Sequence, residues 1–186
     1  MKIVFVRHGE SEANIAHRIN DNPARIVNLT RQGRAQAEAA ADSLRAMRFT
    51  HAYASQFVRA QQTAEILLRP HACQLSIDAR LNERRSGMDG LPVSAFNELV
   101  RPDPLHIKPD GGESFLEQME RLRSFLDEAA ARYPGGTILA VSHENPILAA
   151  LALTSDEPGQ VACGSIANCE RVELNWMCNT PQCRGA

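Results

Sequence analysis

The chain opens on an apolar run rich in β-branched residues, Met1-Lys2-Ile3-Val4-Phe5-Val6, which stops abruptly at Arg7-His8-Gly9-Glu10-Ser11. A run this short, bounded by a turn residue, reads as a buried strand rather than a helix. A second run of the same character, Thr137-Ile138-Leu139-Ala140-Val141, delivers Ser142-His143-Glu144. Each strand therefore hands a histidine to its carboxyl end, where α/β proteins gather ligands. A cation, an imidazole and a glycine in succession offer fixed positive charge, a nucleophile or base, and a backbone that a ligand can approach closely. That is the outline of a phosphate site.

The segments between these runs alternate in type. Residues 15–28 mix polar side chains with Pro23 and show no period, which reads as a loop over the strand end. Thr30 can cap a helix reaching Met47, in which Gly33 weakens the first turn and permits close packing. Residues 51–55 form a second short strand, and a helix over 58–68, ended by Pro70, carries Arg59 at its polar entry corner. Leu75 and Ile77 alternate with polar residues as a third strand leading towards Glu83. Glycines and prolines punctuate 86–112, with one helical piece near 94–100, so this stretch reads as a flap-like insertion. Glu113 and Ser114 open a long amphipathic helix with Phe115, Met119, Leu122, Leu126 and Ala129 on its apolar face. An apolar helix over 147–153 follows the second histidine. A last strand or hairpin falls near Val172 and Leu174, and no pattern is legible beyond Trp176.

At 186 residues the expectation is a single domain with one insertion at about 86–112. A formal net charge of −2 gives no global attraction to nucleic acid or to an anionic membrane, so an anionic small molecule must be held by local arginines. No stretch has the length and apolarity of a membrane span, and the N-terminal run lacks a signal-peptide pattern, which places the expected location in the cytoplasm. Cys163, Cys169, Cys178 and Cys183 crowd the last quarter without a close Cys-x-x-Cys pair. They read first as reduced, unligated thiols.

Alternating strands and helices bring parallel strand ends to one sheet edge, so Arg7, His8, Arg59, Glu83 and His143 are expected to converge. Guanidiniums can bind a phosphoryl group bidentately, an imidazole can attack phosphorus, and a carboxylic acid can protonate the leaving oxygen. Such a set needs no metal or other cofactor, because its own cations supply the positive charge.

With these residues in view, the chain resembles the histidine phosphatase superfamily, also called the phosphoglycerate mutase-like family. The resemblance rests on RHGESEAN at 7–14, LTRQGRAQA at 29–37, SQFVRAQQTA at 55–64, LNERRSGMDG at 81–90, PDGGES at 109–114 and VSHENP at 141–146, in family order. It implies a three-layer α/β/α sandwich with a mainly parallel central sheet. It implies that His8 is the nucleophile that becomes phosphohistidine, with Arg7, Arg59 and His143 around the phosphoryl group. Asn14 matches a phosphate-contacting asparagine, and Glu83 the family's proton donor. The implied activity is metal-independent hydrolysis of a small phosphate ester. The alternatives are a cofactor-dependent phosphoglycerate mutase and a phosphoryl-binding adaptor without catalysis.

Two departures carry expectations. The second histidine block usually reads Ser-His-Gly, whereas Glu144 follows His143 here, and an adjacent acid is expected to raise the pKa of that histidine. Asp89 stands where the family often has Glu. The interval from Glu83 to His143 is short, and most of its basic residues beyond Gly112 fall on the long helix, which favours hydrolysis over the mutase reaction.

Overall fold

The computed structural model describes residues 1–177. Its centre is a five-stranded sheet of β1 (Lys2–Arg7), β2 (His51–Ala54), β3 (Leu75–Ile77), β4 (Thr137–Ser142) and β5 (Arg171–Asn175), in the order β3-β2-β4-β1-β5. Four strands run parallel, and β5 alone pairs antiparallel, along the outer edge of β1. The β1 and β4 register sets Arg7 opposite Ser142, so the two strands release His8 and His143 side by side. In the same way β2 ends with Ala54 opposite Val141, placing Ser55 beside the same corner.

Alternation along the strands sorts their side chains onto two faces. Ile3, Phe5, Ile138 and Ala140 pack towards α5 (Phe115–Arg132) and α6 (Glu144–Ala152). Val4, Val6, Leu139 and Val141 pack towards α2 (Arg31–Leu44) and α3 (Val58–Leu68). With both faces covered, the architecture is a three-layer α/β/α sandwich. Short helices α1 (Glu12–Ile15), α4 (Val93–Val100) and α7 (Pro158–Ala162) border the sheet's carboxyl edge. Among the described residues, no helix is long and apolar enough to cross a membrane.

Local chemistry explains the helix starts. Thr30 and Ser114 cap α2 and α5 by accepting from the third backbone N–H, and Glu117 completes a capping box on α5. Two elements depart from the sequence reading. The segment expected to be loop from residue 15 overlaps the end of α1, a single turn capped by Ser11 and Asn14, too short for periodicity to reveal. The helix expected from 147 starts at Glu144, because Pro146 falls in its first turn, where a proline's missing N–H costs nothing.

Gly33 shows how tightly α2 presses on the first corner. A Cβ at this position would lie 2.0 Å from the backbone oxygen of Glu10. Alanine normally favours a helix by about 1 kcal/mol over glycine, but here the clash with backbone outweighs it. Gly33→Ala is expected to destabilise the protein by roughly 1–3 kcal/mol, read as a lower urea midpoint at unchanged m-value. A raised midpoint would contradict the close approach.

Residues 86–112 form turns around α4. Gly87, at φ 66°, lies so close to Asp110 that a Cβ would meet its carbonyl oxygen at 1.9 Å. The two ends of the segment are thus drawn together at its base, and Asp21 fastens it by accepting from the backbone N–H and hydroxyl of Ser86.

Candidate active site

His8 leaves β1 buried, with Nδ1 2.7 Å from the carbonyl oxygen of Gly9. A carbonyl can only accept, so Nδ1 carries the proton and Nε2 presents a lone pair. Nε of Arg59 donates to that Nε2 at 3.1 Å. Burial, reinforced by the charges of Arg59 and Arg7, holds the His8 pKa well below the ordinary imidazole value, although the Gly9 carbonyl opposes the shift. The lowered pKa favours the neutral ring, whose lone pair sits on the nitrogen held by Arg59.

Arg59, the second residue of α3, ties the site together. Besides His8 it reaches Nδ1 of His143 through Nη2 at 3.2 Å, and Asn20 accepts from both terminal nitrogens. Its guanidinium is buried and stacks 4.4 Å above the Phe57 ring. Burial pushes its pKa down to about 10, so it stays charged at neutral pH while lacking a carboxylate in contact. A buried cation held by neutral acceptors is a receptor for an anion. Arg7 adds a second positive charge, and its Nε is buried without a hydrogen-bond partner.

His143 is fully buried behind Arg59, its ring centroid 5.0 Å from that of His8. Since Arg59 can only donate, Nδ1 of His143 accepts, and Nε2–H donates to the Ser55 hydroxyl at 2.8 Å. The expectation that Glu144 raises the pKa of His143 is overturned. Burial and the charges of Arg59, His8 and Arg7 lower it well below the usual value. Glu144 faces the other way: its Oε1 lies 3.3 Å from Nη1 of Arg7 and accepts from the backbone N–H of Ile166 at 3.0 Å.

Glu83 reaches the site from beyond β3 and a 3-10 turn (Ala79–Leu81), rather than directly from a strand end. Burial raises its pKa above the ordinary carboxylate value, against the Arg84 backbone N–H and the charges of Arg59 and Arg7, and Glu144 adds to the rise. Asn14 uses its side-chain oxygen to accept from the N–H and hydroxyl of Ser11, which turns the amide group into the end left for a ligand.

These groups surround a cavity of about 600 Å3, lined among others by Arg7, His8, Asn14, Arg59 and Glu83. Its far wall is apolar, from Val93, Phe96 and Val100 on α4 and Leu148 on α6. Although expected around the phosphoryl group, His143 is not among the residues lining the cavity and is linked to it by its bond to Arg59. Cys73, Cys163 and Cys169 carry free thiols, and Cys163 lies on the cavity wall. Cys178 and Cys183 lie outside the described residues.

Sequence reasoning missed several supports. Asn20, in the aperiodic loop, holds Arg59. Thr63 accepts from the Gly9 N–H and donates to the Arg59 carbonyl, joining α3 to the first corner. The hydroxyl of Ser142 donates to the Leu81 carbonyl at 2.7 Å, and the buried Glu113 accepts from Arg121, which in turn donates to the carbonyls of Arg80 and Asn82. These bonds fix the loop that carries Glu83. The PDGGES block, with Glu113, was the one available signal for this network.

Together the groups can grip a phosphoryl dianion, attack it with a neutral imidazole and donate a proton to its leaving oxygen. Several known proteins resemble this chain. At 34% identity over 156 residues, covering 77% of this chain and 69% of the relative, it is similar to a probable phosphoglycerate mutase GpmB of Cronobacter sakazakii. It is 30% identical over 173 residues to a 2,3-bisphosphoglycerate-dependent phosphoglycerate mutase of Mesorhizobium japonicum, covering 85% of this chain and 83% of that one. Among solved structures, a mycobacterial glucosyl-3-phosphoglycerate phosphatase complexed with VO3 superposes with a TM-score of 0.83 at 26% identity, covering 94% and 92% of the two chains. The sequence model of the histidine phosphatase superfamily (branch 1) matches residues 3–185, and the chain belongs to that superfamily.

Proposed function

We propose that this protein is a metal-independent phosphomonoesterase that hydrolyses a small-molecule phosphate ester through a phosphohistidine on His8. The observation that carries the reading is the contact of His8 Nδ1 with the Gly9 carbonyl at 2.7 Å, which assigns the proton to Nδ1 and the lone pair to Nε2; the Arg59 N–H that holds this lone pair turns to the phosphoryl oxygens as the ester arrives and frees it for attack. Arg7, Arg59 and the Asn14 amide hold the phosphoryl oxygens. As Nε2 attacks phosphorus and the ester P–O bond breaks, Glu83 gives its proton to the departing alkoxide. Water then enters, returns a proton to the Glu83 carboxylate and displaces phosphate from His8. His143, whose Nδ1 accepts from Nη2 of Arg59, orients that guanidinium towards the phosphoryl group. Residues 86–112, with α4 lining the cavity, act as a flap that shapes the alcohol end of the site.

Brief reaction with 32P-labelled ester in excess EDTA, followed by an alkaline quench, is expected to leave base-stable, acid-labile label on the peptide containing His8. Label on Ser11, or turnover that vanishes with EDTA and returns with one metal ion, would defeat the mechanism.

The mutase names of two relatives favour a second reading, phosphoryl exchange on phosphoglycerate. The two reactions share this machinery and differ in product: free phosphate supports hydrolysis, and 2-phosphoglycerate formed from 3-phosphoglycerate with bisphosphoglycerate as primer supports the mutase.

A further inference from the structure

Resting on the phosphomonoesterase reading, we infer that Glu144 is a specificity-determining residue. It selects esters whose alcohol part carries a hydrogen-bond donor, hydroxyl or ammonium, near the phosphate and disfavours those carrying a carboxylate there. Glu144 is the first residue of α6 and lines the cavity beside Asn145, Gly164 and Ser165. Both its contacts, the Arg7 guanidinium and the Ile166 N–H, fall on Oε1. Oε2 is left as an acceptor, on a side chain 29% exposed.

This carboxylate has two effects on what binds next to the phosphate. It takes up part of the charge of Arg7, which leaves Arg59 as the stronger phosphoryl anchor. It also sets a negative charge beside the phosphoryl site on the side of Arg7, so a second anion there is repelled and a donor is accepted. The other cations of the cavity wall, Arg18, Arg84 and Arg101, keep their charge, so the effect of Glu144 is local to the Arg7 side of the site. Arg84 is committed to the carbonyls of Glu113 and Ile107 and packs on Phe96, while Arg18 donates to the Gly90 carbonyl. Arg101 is exposed and lines the cavity from the end of α4. The inference separates this chain from relatives named for phosphoglycerate, whose substrate bears a carboxylate.

Glycerol 3-phosphate and 3-phosphoglycerate make the test sharp, since they differ by a hydroxymethyl group in place of the carboxylate. O-phosphoethanolamine supplies the cationic arm. The wild-type protein is expected to show a higher kcat/KM for glycerol 3-phosphate and O-phosphoethanolamine than for 3-phosphoglycerate. Glu144→Gln retains an acceptor for the Ile166 N–H, and it is expected to shift the ratio towards 3-phosphoglycerate by on the order of tenfold. The ammonium ester should lose ground to glycerol 3-phosphate in the same variant, whereas a loss confined to glycerol 3-phosphate would assign the site to hydroxyl donors. Continued hydrolysis by the variant shows that it folds. A ratio of 3-phosphoglycerate to glycerol 3-phosphate that is unmoved, or moves the other way, would overturn the role of Glu144 alone. Failure of the wild-type protein to release phosphate from any of the three would overturn the phosphomonoesterase reading with it.

Discussion

Replacing His8 by alanine is expected to slow the release of phosphate from every ester by on the order of ten-thousandfold or more, whatever the leaving group. No neighbouring side chain can take its place. The hydroxyl of Ser11 is committed to Asn14, and His143 is sealed behind Arg59 with its one N–H directed at Ser55. The anion site should survive, because Arg7, Asn14 and Arg59 remain, with Asn20 still holding Arg59. The signature of the variant is thus a loss in kcat with retained competitive binding of orthovanadate or inorganic phosphate, measured by isothermal titration. A variant keeping one per cent of turnover, or losing anion binding together with activity, would mean that His8 serves the site as a structural element.

Glu83→Gln should separate substrates by their leaving groups. An alkoxide is a poor leaving group, and proton donation to it contributes about a hundred- to ten-thousandfold, whereas a phenolate of low pKa needs little help. Turnover of an alkyl phosphate should therefore fall by that factor, while p-nitrophenyl phosphate changes far less. The pH profile gives a second reading. The active form pairs a neutral His8 with a protonated Glu83, and the two pKa shifts open that window from both sides: His8 is lowered and Glu83 is raised. Activity on alkyl esters should fall on the acid side as His8 gains a proton, and on the alkaline side as pH rises through the raised Glu83 value. Glutamine cannot titrate, so the alkaline limb assigned to Glu83 should disappear in the variant. Equal losses for both esters with that limb intact would sink the acid role and leave a purely positional one.

The parts of this site that lie on strand ends were legible because the local chain dictates them. A β-branched run that ends in Arg7-His8-Gly9 states its own burial and its own exit, and the same holds for the run before His143. What joins them was not legible. Asn20 belongs to a stretch without period, and its value arises only when α3 brings Arg59 against it from 39 residues away. The direction of the His143 pKa was misjudged for a related reason. Adjacency in sequence suggested that Glu144 would act on its neighbour, but His143 is the extended residue that precedes α6, and in extended backbone consecutive side chains point to opposite sides, which sends the carboxylate to Arg7 and leaves the imidazole with Arg59. Strand order was equally hidden, since nothing in the residues of β5 says that it closes the sheet beside β1.

That last strand bears on when the protein becomes competent. The turn that precedes β5 grips the first corner at several points: Arg7 donates to the Ile166 carbonyl, the Cys169 N–H donates to the Arg7 carbonyl, and the Asn168 amide donates to the His8 carbonyl across 160 residues. Beyond the strand, Met1 and Trp176 exchange backbone hydrogen bonds. On the ribosome the turn that holds the His8 backbone emerges 160 residues after His8 itself, and that long loop must close before the corner is set. Until that closure the nascent chain has its histidine but not the geometry that aims it, so the proposed site is assembled only once the polypeptide has been made through β5.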